Sequence, residues 1–335
     1  MSDAGELPAE LIEQTRAFAV ELERLLASIP SVHTVPPEQT RRERREGKGL
    51  FPAPVFLPGA TTLEIEGPAG AIQLRVIKPE GEPTGSFLHI HGGGWTLGEN
   101  DMQDPRLARL AADTGLIVIS VGYRLAPEHP HPAGADDCEA AALWLLDSSG
   151  SAALRDAGPL AIGGDSAGAH LSALTLLRLR DRHGVAGRFG AAVLQYGAFD
   201  LSGTPSQRLW GERNLVLSAP IVDWFVAQLL PGTAIEERRR PDVSPLYADL
   251  REMPPASFTV GTQDMLLDDT LFMERRWRMA GAATELHVYP EAPHGFLSFP
   301  MPIADVALAN EHSFLCRTLS LMVPTPAASL RLVRD

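Results

Sequence analysis

Ile162-Gly163-Gly164-Asp165-Ser166-Ala167-Gly168-Ala169-His170 is the stretch on which the reading of this chain turns. Its apolar lead-in, Leu160-Ala161-Ile162, reads as a buried strand, and the Ala/Leu-rich exit over 169–180 reads as a helix. Between them lies Gly164-x-Ser166-x-Gly168. A strand that turns at once into a helix holds the residue at the turn in a strained conformation, with its side chain at the tip of the sheet. Glycines must flank it, because a Cβ there would press on the neighbouring strand and helix. A serine in that place is exposed, near the positive end of a helix and beside a backbone N–H, the position of a nucleophile. In a chain with 30 glycines the short pattern alone is weak. The strand before it and the helix after it supply the context that gives it meaning.

On either side of this stretch, strands alternate with helices. Residues 87–90, 116–121, 191–195, 256–260 and 285–289 read as strands, and 107–113, 135–146, 270–280 and 303–319 as helices. Two short alternating runs, 61–66 and 72–77, joined through Gly67-Pro68-Ala69-Gly70, read as a hairpin that makes one sheet edge antiparallel. This order predicts an α/β protein with a mostly parallel central sheet covered by helices on both faces. Two segments stand outside the alternation. The first is helical from near Pro8, with an apolar stripe of Leu11, Thr15, Phe18, Leu22, Leu25 and Ile29. The second, 200–249, is rich in proline and charge and holds a short aromatic helical piece at 221–230. Both are expected to fold over the carboxyl ends of the strands as a lid. The expected division is therefore 1–50 as the N-terminal part of a cap, 51–200 and 250–323 as two parts of one core, 201–249 as the cap insertion, and 324–335 as a loosely held tail. The run Arg41-Arg42-Glu43-Arg44-Arg45 is expected to be a solvated helix face.

The 335 residues are 44% hydrophobic, enough for one large core plus a smaller lid. A net charge of -13 makes nucleic acid or an anionic membrane surface a poor partner. Cys138 and Cys316 lie far apart on expected helices, which argues for free thiols. No run is long and apolar enough to span a bilayer. The first residues lack the pattern of a secretory signal, so a cytoplasmic location is the expectation.

A serine nucleophile needs a base, and the base needs an orienting acid. His294 follows the strand at 285–289, in the loop Pro290-Glu291-Ala292-Pro293-His294-Gly295. Asp264 follows the strand at 256–260, beyond Gly261-Thr262-Gln263. Their order, Ser166…Asp264…His294, is the order such a triad takes when its serine sits on a strand-to-helix turn. The rival acids Asp268 and Asp269 read as caps for the helix starting near Thr270, and Asp200 precedes the insertion. His170 is expected to pack or cap, and His287 to point into packing or solvent. The oxyanion of a tetrahedral intermediate needs N–H donors. Ala167 offers one, and Gly93 and Gly94, in the loop His91-Gly92-Gly93-Gly94-Trp95, offer the others. Those glycines fit neither nucleotide-binding glycine pattern. His89 and His91 lack a third metal ligand nearby, so no metal is expected.

His91-Gly92-Gly93-Gly94, Tyr123-Arg124-Leu125-Ala126-Pro127-Glu128, Gly164-Asp165-Ser166-Ala167-Gly168, Asp264 and His294-Gly295-Phe296 together resemble the hormone-sensitive lipase family of α/β-hydrolases, in particular its bacterial esterases. The likeness runs in order over roughly residues 60–320. It implies an α/β-hydrolase fold with a helical cap, Ser166, Asp264 and His294 as triad, and Gly93, Gly94 and Ala167 as oxyanion hole. It also implies that His91 shapes its loop and that 123–128 brace the sheet edge. No cofactor is implied, and the partner implied is a small ester. A homodimer is the alternative to a monomer. His131, Ala169 and Gly197 depart from the family pattern. The implied activity is carboxylic ester hydrolysis. Short-to-medium acyl chains are expected because no large apolar element suits a lipid interface, and Trp95, Trp210 and Leu215, beside Trp224 and Phe225, are the apolar pocket candidates. The same scaffold serves amide, carbamate or lactone hydrolysis. A non-catalytic binding protein, as in the plant gibberellin receptors that lack the histidine, is argued against by His294.

Overall fold

The computed structural model describes residues 7–51, 53–147, 154, 158–185 and 187–321. The proposed C-terminal tail thus lies outside the described residues. One sheet carries β1 (Thr61–Gly67), β2 (Gly70–Ile77), β3 (Gly85–Ile90), β4 (Leu116–Gly122), β5 (Leu160–Asp165), β6 (Phe189–Gln195), β7 (Ala256–Gln263) and β8 (Thr284–Pro293). Their spatial order is β1-β2-β4-β3-β5-β6-β7-β8. The hairpin β1–β2 joins β4 antiparallel, and every pair from β4 to β8 is parallel. The stretch that opened the sequence reading is β5 and the turn after it, near the middle of the parallel part.

The helices are α1 (Ala9–Ala27), α2 (Pro37–Arg45), α3 (Asp104–Thr114), α4 (Ala133–Leu146), α5 (Ala167–His183), α6 (Pro205–Trp210), α7 (Ala219–Leu229), α8 (Leu267–Met279) and α9 (Pro302–Thr318). Side chains alternate across the sheet, and β4 shows how that divides the core. Ile117, Ile119 and Val121 pack with Ala141 and Leu145 of α4 and Leu171 and Leu174 of α5. Leu116 and Val118 face the other way, toward Leu107 and Leu110 of α3 and Phe314 and Leu315 of α9. A parallel strand buried on both faces must be apolar at nearly every position, which β4 is.

Outside the alternation, α1 lies against β8 and α9. Its buried residues Ala19, Leu22 and Leu26 join Tyr289, Phe296 and Ile303. Of the expected stripe, Thr15 and Leu22 are buried and Leu11, Phe18 and Ile29 pack at its margin, but Leu25 is exposed and Ala19 and Leu26 take the inward positions instead. The turn at Val32–Thr34 meets α7 of the insertion, so the two non-alternating segments touch each other.

Two expectations are corrected. The basic run on α2 is not simply a solvated face. Arg41 donates to the carbonyls of Thr96 (2.8 Å) and Ala126 (2.7 Å) and to both carboxylate oxygens of Glu128, and Arg45 pairs with Glu99 and Asp101. A charge run reads as solvated when its partners are distant in sequence, as these are. Nor do Asp268 and Asp269 cap their own helix. Asp268 accepts from the backbone N–H of Ser206 in the first turn of α6. Asp269 is fully buried and accepts from the N–H groups of Phe199 and Asp200, Thr204 Oγ1 and Gln207 Nε2. They fasten the insertion to α8.

Candidate active site

Ser166 stands between β5 and α5 with φ 56° and ψ −117°, a conformation that a side chain adopts only where its surroundings force it. A Cβ at Gly164 or Gly168 would collide with the Ile90 carbonyl oxygen of the neighbouring β3. Those two glycines let β5 and α5 close on β3, and the turn has no other way to run. The Ser166 N–H donates to the Gln195 carbonyl at 2.8 Å, which holds the turn against β6.

Three loops at the carboxyl ends of β5, β7 and β8 bring their side chains to one point. His294 Nε2 lies 3.0 Å from Ser166 Oγ, and His294 Nδ1 lies 2.8 Å from Asp264 Oδ2. The second oxygen of Asp264 accepts from the Leu266 N–H at 2.8 Å. This geometry suits an imidazole that donates from Nδ1 to the carboxylate and accepts at Nε2 from the serine hydroxyl. The Tyr196 ring meets the His294 ring edge-on, centroids 5.0 Å apart, and fixes its plane. Asp264 and His294 are 1% and 5% exposed, so these interactions act largely out of water.

The loop after β3 runs beside them. Gly94 has φ 60°, and a Cβ there would strike the Phe225 ring of α7. The loop is held at its base. The Tyr123 hydroxyl donates to the His91 carbonyl at 2.9 Å, and the two rings stack 4.2 Å apart. Burial pushes the His91 imidazole down to about 4, so it stays neutral. Behind the loop, Trp95 Nε1 donates to His170 Nδ1 at 3.0 Å, and His170 Nε2 reaches the Val243 carbonyl at 2.8 Å. Burial pushes His170 down to about 3.

Ser166 and His294 open into a cavity of about 710 Å³. Gly93, Gly94 and Trp95 line it, as do Val216, Leu217 and Phe225 of the insertion and Arg44, Leu50 and Phe51 of the N-terminal segment. The expected Trp210 and Leu215 do not. Trp210 donates its Nε1 to the Arg213 carbonyl and carries the Arg213 guanidinium on its face, and Leu215 is buried against α1 and β8 residues. The chain turns at Val216, at φ 71°, and presents Val216 and Leu217 instead. Trp224 lies off the cavity as well.

Sequence reading missed a polar cluster behind Ser166. Asp165 accepts from Gln103 Nε2 at 3.1 Å, with Arg106 and His89 each within 4 Å. Arg106 donates to Gln195 Oε1 at 2.9 Å, and Gln195 donates to buried Glu311. Only the place of Asp165 inside the serine turn hinted at it. Of the departures, Gly197 is required by the Phe199 ring, which a Cβ there would meet, and the His131 N–H donates to the Leu229 carbonyl. Ala169 is simply buried. Among the described residues, no three His, Cys, Asp or Glu side chains gather as metal ligands, and no helix is long and apolar enough to cross a membrane.

Known proteins carry the same arrangement of strands and helices. Residues 87–298 match the α/β hydrolase fold family. The chain is 36% identical over 268 residues to the carboxylic ester hydrolase LipN of Mycobacterium tuberculosis, covering 78% of this chain and 70% of LipN. A hyperthermophilic esterase from the archaeon Pyrobaculum calidifontis superposes with a TM-score of 0.78 at 28% identity, over 89% of this chain and 96% of that one. A hormone-sensitive lipase from a metagenome library superposes with a TM-score of 0.78 at 25% identity, over 91% and 98%. The chain belongs to the hormone-sensitive-lipase-like family of α/β-hydrolases.

Proposed function

We propose that this carboxylic ester hydrolase cleaves soluble short-to-medium acyl esters through an acyl-enzyme on Ser166. Ser166 Oγ attacks the ester carbonyl while His294 Nε2 takes its proton, and Asp264 holds the imidazolium that forms. The N–H groups of Gly93, Gly94 and Ala167 receive the oxyanion. His294 then protonates the leaving alcohol, activates water against the acyl-enzyme, and returns its proton to the serine as the acid departs. Residues 1–50 and 201–249 act as the cap that shapes the pocket, which Trp95 lines. The chemistry uses side chains, backbone N–H groups and water, and calls for no cofactor. The observation that carries this reading is the hydrogen-bonded chain Ser166–His294–Asp264 at the floor of a largely apolar cavity. The cavity's size favours ligands of small-molecule dimensions over a lipid surface.

The test is hydrolysis of p-nitrophenyl esters of graded acyl length, with Ser166→Ala in parallel. The reading expects a fall in kcat of about 10³-fold or more in the variant and a rate maximum at short or medium chains. Unchanged activity in the variant would remove Ser166 from the mechanism, and a preference for long-chain emulsions would refute the substrate range.

A further inference from the structure

Most charged side chains around the cavity are already matched. Arg45 pairs with Glu99 and Asp101, Lys48 with Glu46, and Arg41 with Glu128. Arg106 is held between Gln195 and Asp165. Glu43 accepts from Gln39 Nε2 at 2.8 Å. Arg44 differs. It lines the cavity, and among the described residues no carboxylate stands within ion-pair distance of it. Its guanidinium lies over the Phe51 ring, 4.9 Å from the centroid. Phe51 in turn comes within 3.9 Å of where a Cβ on Gly295 would stand, beside His294. The cation is therefore one aromatic ring away from the histidine loop. Burial pulls its pKa down to about 10, so it still carries its charge at neutral pH.

A cation drawn partly out of water is unfavourable until an anion joins it. A guanidinium offers a planar fork that matches a carboxylate with two parallel hydrogen bonds. The apolar lining elsewhere would hold a hydrocarbon spacer. We infer that Arg44 is a specificity-determining residue that receives a free carboxylate on the substrate, so that the preferred substrates are half-esters of dicarboxylic acids. This rests on the ester-hydrolase reading given above. The carboxylate is a spectator in the reaction: the bond to the leaving alkoxide breaks at the far end, and water supplies the hydroxyl of the acid product.

The experiment follows acid release at pH 7 from the monoethyl and diethyl esters of succinic, glutaric and adipic acids. It uses the wild-type protein, Arg44→Gln and Arg44→Lys, with p-nitrophenyl butyrate as a neutral control. In the wild type the monoester should have the higher kcat/KM at one or more spacer lengths, and the advantage should shrink as sodium chloride is raised. In Arg44→Gln the monoester-to-diester ratio should fall about tenfold to a hundredfold, mostly through KM, and Arg44→Lys should recover part of it. A wild type that prefers the diester at every length overturns the inference even if neither variant folds, and so does a ratio that Arg44→Gln leaves unchanged. Hydrolysis of the neutral control with rejection of the monoesters leaves the esterase reading standing and sinks only this one. Failure on every ester sinks both.

Discussion

The turn at Ser166 and the N-terminal segment over 7–51 both border the cavity, yet they are fixed by opposite kinds of force. At the turn, backbone meets backbone. Gly164 and Gly168 lie against the Ile90 carbonyl, and Ser166 is left at φ 56° with no freedom to move away. In the N-terminal segment, side chains reach across the sequence to hold a helix in place. Arg41 bonds Thr96, Ala126 and Glu128, and Leu22 and Leu26 pack with residues after β8. The first region cannot vary without losing the turn. The second can exchange side chains and keep its fold, so it is the region in which substrate preference can change while the chemistry stays.

That contrast makes graded predictions. The largest effect should come from the glycine loop after β3, which borders the cavity beside the turn at Ser166. Gly94→Ala places a methyl group at φ 60° against Phe225, displacing a proposed oxyanion donor. Steady-state kinetics should show kcat reduced about 10²-fold to 10³-fold, and an unchanged kcat would remove Gly94 from the hole. Arg41→Ala acts in the adaptable region. It should lower stability to urea by about 1–3 kcal/mol and raise KM for neutral esters more than it lowers kcat. The low end of that range is expected, since Glu128 is substantially exposed and its ion pair is screened. If kcat fell and KM did not, α2 would be acting on the reacting groups and the contrast would fail.

The smallest effect concerns His170, behind Trp95. Its folded pKa, about 3, lies below the ordinary value of about 6.5 expected for the unfolded chain. Between those values the unfolded chain binds more protons, so stability rises with pH. The contribution is complete above about pH 6.5 and is lost as pH falls toward 3. His170→Gln should therefore flatten the dependence of Tm on pH between about 6.5 and 4, removing at most about 1.4 kcal/mol per pH unit. A slope identical to wild type would mean that the folded imidazole titrates normally.

The same contrast explains what could be read from residues alone. The parallel sheet, the antiparallel hairpin and the turn at Ser166 were legible because periodicity and glycine spacing are local signals. Asp264 and His294 were legible as residues just past strand ends, and the structure brings His294 against Ser166 and Asp264 against His294. The pocket wall was legible only in part: Trp95 and Phe225 line the cavity, and the other candidates do not. Trp210 and Leu215 looked suitable by type, but the reversal at Val216 turns their neighbours inward instead. Arg41 and Arg45 looked solvated because their carboxylates lie 54 or more positions away. Asp269 looked like a cap because it opens a helix, and nothing local reveals that four donors from 199–207 converge on it.

The central claim is that Ser166 is the nucleophile, and covalent capture tests it most directly. The wild-type protein would be treated with a p-nitrophenyl alkylphosphonate, whose phosphorus accepts the serine oxygen and releases p-nitrophenolate. Intact mass and peptide sequencing would then locate the adduct. The account predicts one adduct per chain, on Ser166, forming in step with loss of esterase activity and absent in Ser166→Ala. An adduct on another residue that tracks the loss of activity, or full inhibition of a protein with Ser166 unmodified, would contradict it.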